Sequence, residues 1–531
     1  MTEDNGTVDN TSPKGQPDRD LPMLSRFDPE ALAQEKAHLR ELEGKPLIKR
    51  MGGYFKMGGP GWLQSAFTLG GGSAGSSLFA GALTGYALLW VQPVAMLLGV
   101  IMMSALAYQT LTTQKRPFQA VNQYAHPVFG WGWAFASLLA SIVWSFPQFN
   151  LAGSVIGDML TAGRETYPQF AVSLGRFFTG AEAPPLQAAT TCYAILSAPV
   201  IVLITLYITW NYSRGSRGVR WFENLLKLMV AGIVVCFGIV VFTTDTDWGG
   251  MWKGFTGFHF PRGDDAKLGV LIAASANAVG INMTFLFPYT LMARGWGREH
   301  RGLAKFDLGI GMLVPFVLAT TFVIVSAGNV LHPALQKATA PIKDDIAKIQ
   351  ADAALSPQEK ADKIKPLNAK IAELRKPMRK AVIMSKTLEP FLGAHLSHFI
   401  FGLGIIGMTV SSIVMLMLVS GFIMTEICNA QPYGAAYKIG VLMPVAGFLG
   451  PILWGKMAFW LVVPTSVICF FFLPIAYVTF FIMMNSKAYL GKDRPAGLRR
   501  LLWNLGMGAA ILVVAVGGAY MIYTKLSTWL G

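Results

Sequence analysis

The sequence predicts an all-α polytopic membrane protein, and two observations support this fold class. The 531 residues are 53% hydrophobic and only 14% charged, whereas about 25% of the residues in soluble proteins are charged. The charged residues are concentrated in short intervals between apolar runs of about 20 residues, the length that an α-helix needs to cross a bilayer. Because lipid offers the backbone no hydrogen-bond partners, such runs form helices.

Eleven apolar runs divide the chain into predicted membrane spans. They lie at about residues 60–83, 86–109, 129–161, 187–210, 221–244, 268–293, 304–330, 394–426, 436–455, 459–485 and 501–524. Residues 1–55 are polar and form a predicted tail, which leaves 56–531 as the membrane domain. Basic residues before the first span place this tail in the cytoplasm. The odd number of spans then places the C-terminus outside, and we expect the cell (inner) membrane as the location.

The formal net charge of +15 is explained by this topology. The intervals predicted to be cytoplasmic are rich in Lys and Arg, as in other membrane proteins, so the charge does not indicate a nucleic-acid partner. The four cysteines lie in or beside apolar runs and lack the spacing of a metal site or a disulfide framework. The lipid bilayer is the partner that the composition predicts.

The interval 332–392 is a large hydrophilic insertion. Two Lys-, Glu- and Ala-rich stretches within it are separated by Ser356, Pro357 and Glu359, which are typical of an N-cap, a first helical position and a third helical position. We predict an extracytoplasmic helical hairpin. We interpret it as a solvated elaboration of a loop, with partner docking or a lid as the alternative.

Gly70, Gly71, Gly72 and Ser73 interrupt the first apolar run. Each glycine costs about 1 kcal/mol relative to alanine inside a helix, and non-helical backbone persists in a membrane only where protein or a cavity surrounds it. Helix packing through Gly71 and Gly75 is an alternative use of small residues. Three successive glycines exceed what packing needs, so we predict an unwound segment, which is where secondary transporters bind their substrates.

Two enzyme motifs match the same stretch by coincidence. Gly70-x-Gly72-x-x-Gly75 has the spacing of a dinucleotide fingerprint, and Gly71-x-Ser73-x-Gly75 has that of a nucleophile elbow. The first requires a preceding strand and a βαβ unit, and the second requires a strand-turn-helix with later Asp and His partners. A membrane span provides neither context. We therefore predict that the protein is not an enzyme and has no cofactor.

The sixth apolar run contains a second interruption. Residues 274–289 mix small and polar residues with a proline at position 288. Spans one and six are five apart, as expected if spans 1–5 and 6–10 are inverted repeats that each begin with a broken helix. An ordinary proline-kinked helix is the alternative.

Landmarks in several spans share the pattern of one family. Span one contains Gly59-Pro60-Gly61 and Ala80-Gly81-Ala82, span three contains Val155-Ile156-Gly157, and Leu388-Glu389-Pro390 precedes span eight. Over about residues 56–495 the chain resembles the NRAMP divalent metal transporters, which have a LeuT-type fold. The resemblance implies a 5+5 inverted repeat with broken helices 1 and 6, and transport of a divalent metal cation by alternating access.

Other residues occupy the positions at which the family binds metal and moves protons. In span one the family motif aligns with Gly70-Gly71-Gly72-Ser73, and in span three it aligns with Leu151 and Ser154. In span six it aligns with Thr284-Phe285-Leu286, and in span ten with Phe472. The resemblance therefore implies a site without the family's carboxylate, thioether and histidine. The neutral oxygens that remain would hold a hydrated divalent ion weakly.

We predict an NRAMP-related secondary transporter whose family-implied substrate is a divalent metal cation, with no individual residue assigned as a metal ligand. Because helix N-termini would point their positive dipole ends at the cavity, a small organic or anionic solute is the alternative substrate. A non-transporting membrane sensor or scaffold is a third hypothesis. The predicted substrate-binding residues are Gly70, Gly72, Ser73, Ile281, Asn282, Thr284, Ser411 and Phe472.

A few ionisable residues lie near the ends of spans. We interpret them as an intracellular gate or an ion-pair network; they are Asp158, Glu223, Arg294, Asp307 and Glu426. His395 and His398 lie three residues apart at the start of span eight. Without a carboxylate or cysteine partner, these histidines would make only a weak metal site.

Overall fold

The computed structural model describes residues 29–57, 64–65, 67–211, 217–261, 264–379, 381–431 and 433–530. Within these residues the chain forms helices and no β-strand, as the sequence predicts. The helices of eight or more residues before residue 260 are α1 (Pro29–Glu43), α2 (Leu47–Met57), α3 (Gly71–Thr84), α4 (Val91–Thr113), α5 (Pro117–Tyr124), α6 (Pro127–Thr161), α7 (Gln169–Thr179), α8 (Pro185–Asn211), α9 (Arg217–Thr243) and α10 (Trp248–Thr256). Those after it are α11 (Asp265–Ala278), α12 (Ile281–Ala293), α13 (Arg301–Leu308), α14 (Val314–Val330), α15 (His332–Ala351), α16 (Pro357–Arg375), α17 (Glu389–Ile427), α18 (Ala435–Leu442), α19 (Val462–Phe470), α20 (Leu473–Asn485) and α21 (Gly497–Leu530).

Nine helical segments of the described residues are long and apolar enough to cross a bilayer. A further pair, Ala231–Thr243 and Trp248–Thr256, is bent by 119° and makes a tenth span if it is counted as one. The protein is therefore an integral membrane protein. The count of eleven spans stays a prediction, because the first residues of predicted span one lie outside the part of the chain that the structure describes.

The helix of predicted span two begins later than the apolar pattern indicates. The sequence predicts a start near residue 86, whereas α4 begins at Val91. Gly85 has a φ of 59°, in the left-handed region that ends α3, and residues 85–90 form turns. The hydropathy pattern does not distinguish this turn from a helix, because the turn includes Leu88 and Leu89, which are apolar and buried.

Spans one and six are both interrupted, but the interruption in span one is shorter than predicted, because Gly71, Gly72 and Ser73 form the first turn of α3 and only Gly70 of the predicted segment is outside the helix. In span one the backbone is extended at Gly70, with φ −90° and ψ −178°, and α3 begins at the next residue, Gly71. In span six, α11 and α12 are separated by Val279 and Gly280, which are both extended. Each of these spans is thus a broken helix rather than a kinked one.

Span six, formed by α11 and α12, occupies the centre of the protein. In the most apolar stretch of span six, 89% of the residues are buried within the protein, whereas in the most apolar stretch of α21 only 22% are buried. The two long helices α6 and α17 pack along each other and both contact α12, while α4 contacts α11 and α12. The break in span six is therefore enclosed by protein, as non-helical backbone at membrane depth requires.

The predicted hairpin consists of α15 and α16, which pack against each other. Ser356 caps α16 as its position in the sequence indicates. Its Oγ accepts a hydrogen bond from the backbone N–H of Glu359 at 3.3 Å, and the Glu359 carboxylate accepts one from the backbone N–H of Ser356 at 2.9 Å. This reciprocal pair is a capping box.

The base of the hairpin is tied to both broken spans. Arg375, the last residue of α16, donates two hydrogen bonds to the carboxylate of Asp264 at 3.0 and 2.7 Å. Asp264 also caps α11, because it accepts a hydrogen bond from the backbone N–H of Lys267. The base is also attached through the first residue of α15, His332, whose Nδ1 lies 3.0 Å from the carbonyl oxygen of Ala82 in α3.

His398 has a carboxylate partner that the sequence does not reveal. Its Nδ1 lies 2.7 Å from Oδ2 of Asp158, between α17 and α6. In the described part of the chain, no group of three or more His, Cys, Asp or Glu side chains is placed to hold a metal ion. The pair therefore has the arrangement of an ion pair, while the side chain of His395 lies outside the described residues.

Glu426, near the end of α17, belongs to a second polar cluster. The hydroxyl of Tyr289 in α12 donates to Oε2 of Glu426 at 3.0 Å, and a guanidinium nitrogen of Arg116 lies 3.7 Å from Oε1. The cluster joins spans six and eight to the turn before α5, as expected of the predicted ion-pair network. The side chain of Glu223, which the sequence places with this group, lies outside the described residues.

Candidate functional site

A cavity of about 40 Å³ lies where the two broken spans meet. One water molecule needs roughly 10–15 Å³ of such volume, so the cavity has room for about three water-sized groups. Its walls come from both broken spans and from α6 and α17. The lining residues are Phe67, Thr68, Gly70, Gly72, Ser73, Trp144, Gln148, Ala276, Asn277, Gly280, Asn282, Met283, Ser412 and Leu416.

Four of the predicted substrate-binding residues line this cavity, namely Gly70, Gly72, Ser73 and Asn282. The structure thus brings the breaks of spans one and six together, although they are far apart in the sequence. The hydroxyl of Ser73 donates to the carbonyl oxygens of Thr68, at 2.5 Å, and of Gly70, at 3.0 Å. These bonds hold the extended segment against the start of α3.

The other four predicted residues lie around the cavity without lining it. The carbonyl oxygen of Ile281 accepts hydrogen bonds from the hydroxyl of Thr284, at 2.5 Å, and from a serine of α6, at 3.3 Å. Ser411 is half-buried on α17, and the adjacent Ser412 reaches the cavity instead. Phe472 packs against the apolar core immediately before α20.

The glycines of span one make room for polar side chains of other helices. A Cβ atom on Gly70 would lie 2.1 Å from the hydroxyl oxygen of Ser412 in α17. A Cβ atom on Gly72 would lie 2.8 Å from Oδ1 of Asn277 in α11. Both distances are shorter than real Cβ contacts. Close approach of polar groups, and not only packing of helices, therefore requires glycine here.

Asn277 is held at the cavity by hydrogen bonds on both sides of its amide. Its Nδ2 donates to the carbonyl oxygen of Gly72 and to Oγ of Ser76, both at 3.3 Å. Its Oδ1 accepts from the hydroxyl of Ser466 at 3.2 Å, and Ser466 accepts from the indole N–H of Trp144 at 3.2 Å. This network joins spans one, three, six and ten next to the break.

Gln148 on α6 presents an amide oxygen that no protein group satisfies. Its side chain is buried, with 3% exposed, and its Oε1 has no hydrogen-bond partner among the described residues. A Cβ atom on Gly71 would lie 2.5 Å from this oxygen. Because an unsatisfied buried acceptor costs about 1–3 kcal/mol, a bound cation or hydrogen-bond donor would stabilise Gln148. The signal in the sequence was a polar amide in the middle of the third apolar run.

A methionine side chain is also at the site. Thr284 is one of the predicted substrate-binding residues, but its neighbour Met283 is the residue that lines the cavity. Thr284 instead accepts a hydrogen bond from the indole N–H of Trp133 at 3.0 Å. Both residues belong to the first turn of α12, and their different positions around the helix axis decide which one reaches the cavity.

The polar groups at the cavity are neutral. None of the fourteen described residues that line it has an ionisable side chain. They offer amide and hydroxyl oxygens, amide N–H groups and one thioether. The N-termini of α3 and α12 and the C-terminus of α11 all end at the cavity, so partial charges of both signs are present.

Comparison with known proteins agrees with this architecture. Residues 61–358 and 367–524 match the family model described as natural resistance-associated macrophage protein-like. The divalent metal cation transporter MntH of Agrobacterium fabrum is 24% identical over 197 residues, which span 37% of this chain and 36% of that protein's length.

Two crystal structures of mutants of the Eremococcus coleocola manganese transporter have a similar fold. Their TM-scores are 0.58 and 0.59 at 15% identity, and the matches cover 92% of this chain and 90% of theirs. The family model itself spans most of the chain and includes every cavity-lining residue. The chain therefore belongs to the natural resistance-associated macrophage protein (NRAMP) family.

Proposed function

We propose that the protein is a secondary transporter of a divalent metal cation, which binds in the cavity between the two breaks and is released by alternating access. The observation that supports this most directly is the cavity, whose walls come from both broken spans and include Met283, a residue with a thioether side chain. Secondary transporters bind substrates at such breaks. Family membership and the names of the relatives, a divalent metal cation transporter and a manganese transporter, support the substrate class.

The proposed ligands are neutral, and this determines the expected affinity. Met283 offers a thioether sulfur, and Gln148 offers an amide oxygen without a protein partner. A thioether favours transition metals over Mg²⁺ and Ca²⁺. No carboxylate neutralises the ion, so its charge opposes entry into a site of low dielectric. We therefore expect weak binding and an ion that keeps some of the roughly three waters for which the cavity has room.

A small organic or anionic solute is the second candidate substrate. The observation in its favour is that amide and hydroxyl groups surround the cavity while the described lining residues include no ionisable side chain. Asn282 and Ser412, for example, both donate and accept hydrogen bonds. The volume of about 40 Å³ restricts such a solute to a few heavy atoms unless the site opens further.

Substitution of Met283 tests the metal proposal. We expect Met283→Ala to weaken Mn²⁺ binding to the purified protein by roughly tenfold, or about 1.4 kcal/mol, in isothermal titration. Met292→Ala is the matched control, because Met292 lies on the same helix, is equally buried at 2% exposed and does not line the cavity. Its Mn²⁺ affinity is expected to equal that of the unchanged protein.

Uptake into proteoliposomes separates the candidates. Uptake of Mn²⁺ that is reduced by Met283→Ala and not by Met292→Ala supports the metal transporter. Uptake of labelled acetate or glycine without Mn²⁺ uptake would establish the second candidate instead. Equal Mn²⁺ binding by the two variants would contradict a role for Met283 as a ligand, and a protein that moves none of these solutes would favour the sensor hypothesis.

A further inference from the structure

Helix α2, which precedes span one, has an apolar face that no part of the described chain covers. Ile48 is 84% exposed, Phe55 is 61% exposed and Met51 is 37% exposed. Their spacing of i, i+3 and i+7 places them on one face of the helix. Large apolar side chains exposed together in this way indicate an interaction surface.

The opposite face of α2 is attached to the protein. The ring of Tyr54 packs edge-on against Phe306 of α13, with centroids 5.6 Å apart. A Cβ atom on Gly302 would lie 2.9 Å from the Tyr54 hydroxyl, and one on Gly53 would lie 2.5 Å from the side chain of Leu42 in α1. These contacts fix the rotation of α2, so its apolar face points outward in the folded protein.

The position and charge of α2 identify the partner. The helix ends at Met57, shortly before span one, and it packs on α13, which leads through residues 309–313 into the membrane helix α14. It therefore lies at the level of the membrane surface. Lys49 is exposed beside Ile48, and Lys45 lies just before the helix. Apolar residues on one face with lysines beside them are typical of helices that lie in the interface of anionic membranes.

We propose that α2 binds the surface of the bilayer on the N-terminal side of span one, with Ile48, Met51 and Phe55 among the acyl chains and Lys49 at anionic headgroups. The lipid surface is a better partner than a second copy of the chain, because the adjoining membrane helix α14 also exposes apolar side chains, Val314 and Leu318, and the exposed lysine complements anionic phosphates. This inference concerns lipid binding only, so it stands or fails independently of the proposed transport.

Spin labels on the full-length protein in lipid nanodiscs test the proposal. Nitroxides are attached at Ile48→Cys and at Phe55→Cys, in a background in which the four native cysteines are replaced, and their collision rates with oxygen and with a water-soluble nickel chelate are compared. Gly44→Cys is the control, because Gly44 is exposed and a side chain there would meet nothing within 4 Å. We expect the labels at 48 and 55 to favour oxygen and the label at 44 to favour nickel.

Each further outcome decides one part of the proposal. Nickel accessibility at 48 and 55 equal to that at 44 would overturn it. Labels shielded from both reagents, with strong dipolar coupling between chains, would show that a second copy covers the face and would also overturn it. Replacing phosphatidylglycerol with phosphatidylcholine is expected to make the label at 48 shallower, and to do so less in a Lys49→Gln background. The same depth in both lipids would contradict the role assigned to anionic headgroups.

Discussion

At the scale of single residues, the packing around Gly70 leaves little room for a side chain at this position. The hydroxyl oxygen of Ser412 lies 2.1 Å from the place of a Cβ atom on Gly70, and it donates to the carbonyl oxygen of Met408 at 2.9 Å. A side chain at position 70 would displace this hydroxyl. We therefore expect the residues at positions 70 and 412 to be coupled.

Introducing a carboxylate at position 70 tests this coupling. Gly70→Asp alone is expected to lower stability by about 1–3 kcal/mol, because it overpacks the contact with Ser412. Gly70→Asp combined with Ser412→Ala is expected to recover that stability and to bind Mn²⁺ at least roughly tenfold more tightly than the unchanged protein. Thermal unfolding and isothermal titration measure the two effects. Equal stability of the single and double variants would show that Ser412 does not exclude a side chain at 70.

Some site residues could be predicted from the sequence, while others required the fold. Gly70, Gly72 and Asn282 lie in interrupted runs, and polar or helix-breaking residues in an apolar run are visible in any hydropathy pattern. Gln148 and Asn277 reach the cavity only because of how α6 and α11 are rotated about their axes. A sequence without aligned relatives does not determine that rotation.

At the scale of single elements, the hairpin of α15 and α16 is attached at its base to both broken spans. Its base holds α11 through Arg375 and Asp264, and it holds α3 through His332 and Ala82. These are the two half-helices on the same side of the breaks. Its helices could be predicted from composition and from the Ser356 capping box, whereas its attachments depend on contacts between residues more than a hundred positions apart.

Loss of Arg375 is expected to loosen the hairpin. Arg375→Ala should lower stability by about 1.5–3 kcal/mol, because it removes two charged hydrogen bonds to Asp264 and leaves only the more distant Lys267, 3.8 Å away, as its cationic partner. It should also speed hydrogen exchange in α15 and α16. Lys370→Ala, an exposed position on the same helix, is the control and is expected to change neither quantity. Unchanged exchange in Arg375→Ala would show that the hairpin is held elsewhere.

The Asp264 anchor is expected to be insensitive to pH near neutrality. Burial is the largest single influence and raises the pKa of Asp264, but the hydrogen bonds and charge of Arg375, together with the backbone N–H and charge of Lys267, outweigh it and hold the pKa below its usual value of 3.8. A carboxylate whose folded-state pKa is lowered stabilises the fold above its ordinary pKa, and this contribution is lost as the pH falls towards the lower, folded-state pKa. The anchor therefore weakens only below a pH of about 4.

At the scale of the whole molecule, the fold class follows from physical requirements that a sequence displays directly. Lipid requires long apolar helices, and a broken helix requires glycine or polar residues at membrane depth, so spans and breaks could be predicted from composition. The start of α4 could not be predicted from composition, because the turn that begins at Gly85 contains the buried apolar residues Leu88 and Leu89. The protein thus has the architecture of its family around a neutral central cavity.

The central claim is that this neutral cavity binds a divalent metal cation, and anomalous diffraction from crystals soaked in Mn²⁺ tests it most directly. The account predicts one anomalous peak between the break at Gly70 and the side chain of Met283, absent from crystals of Met283→Ala and present in crystals of Met292→Ala. A cavity without anomalous density at saturating Mn²⁺, or a peak only at another place in the protein, would contradict the account.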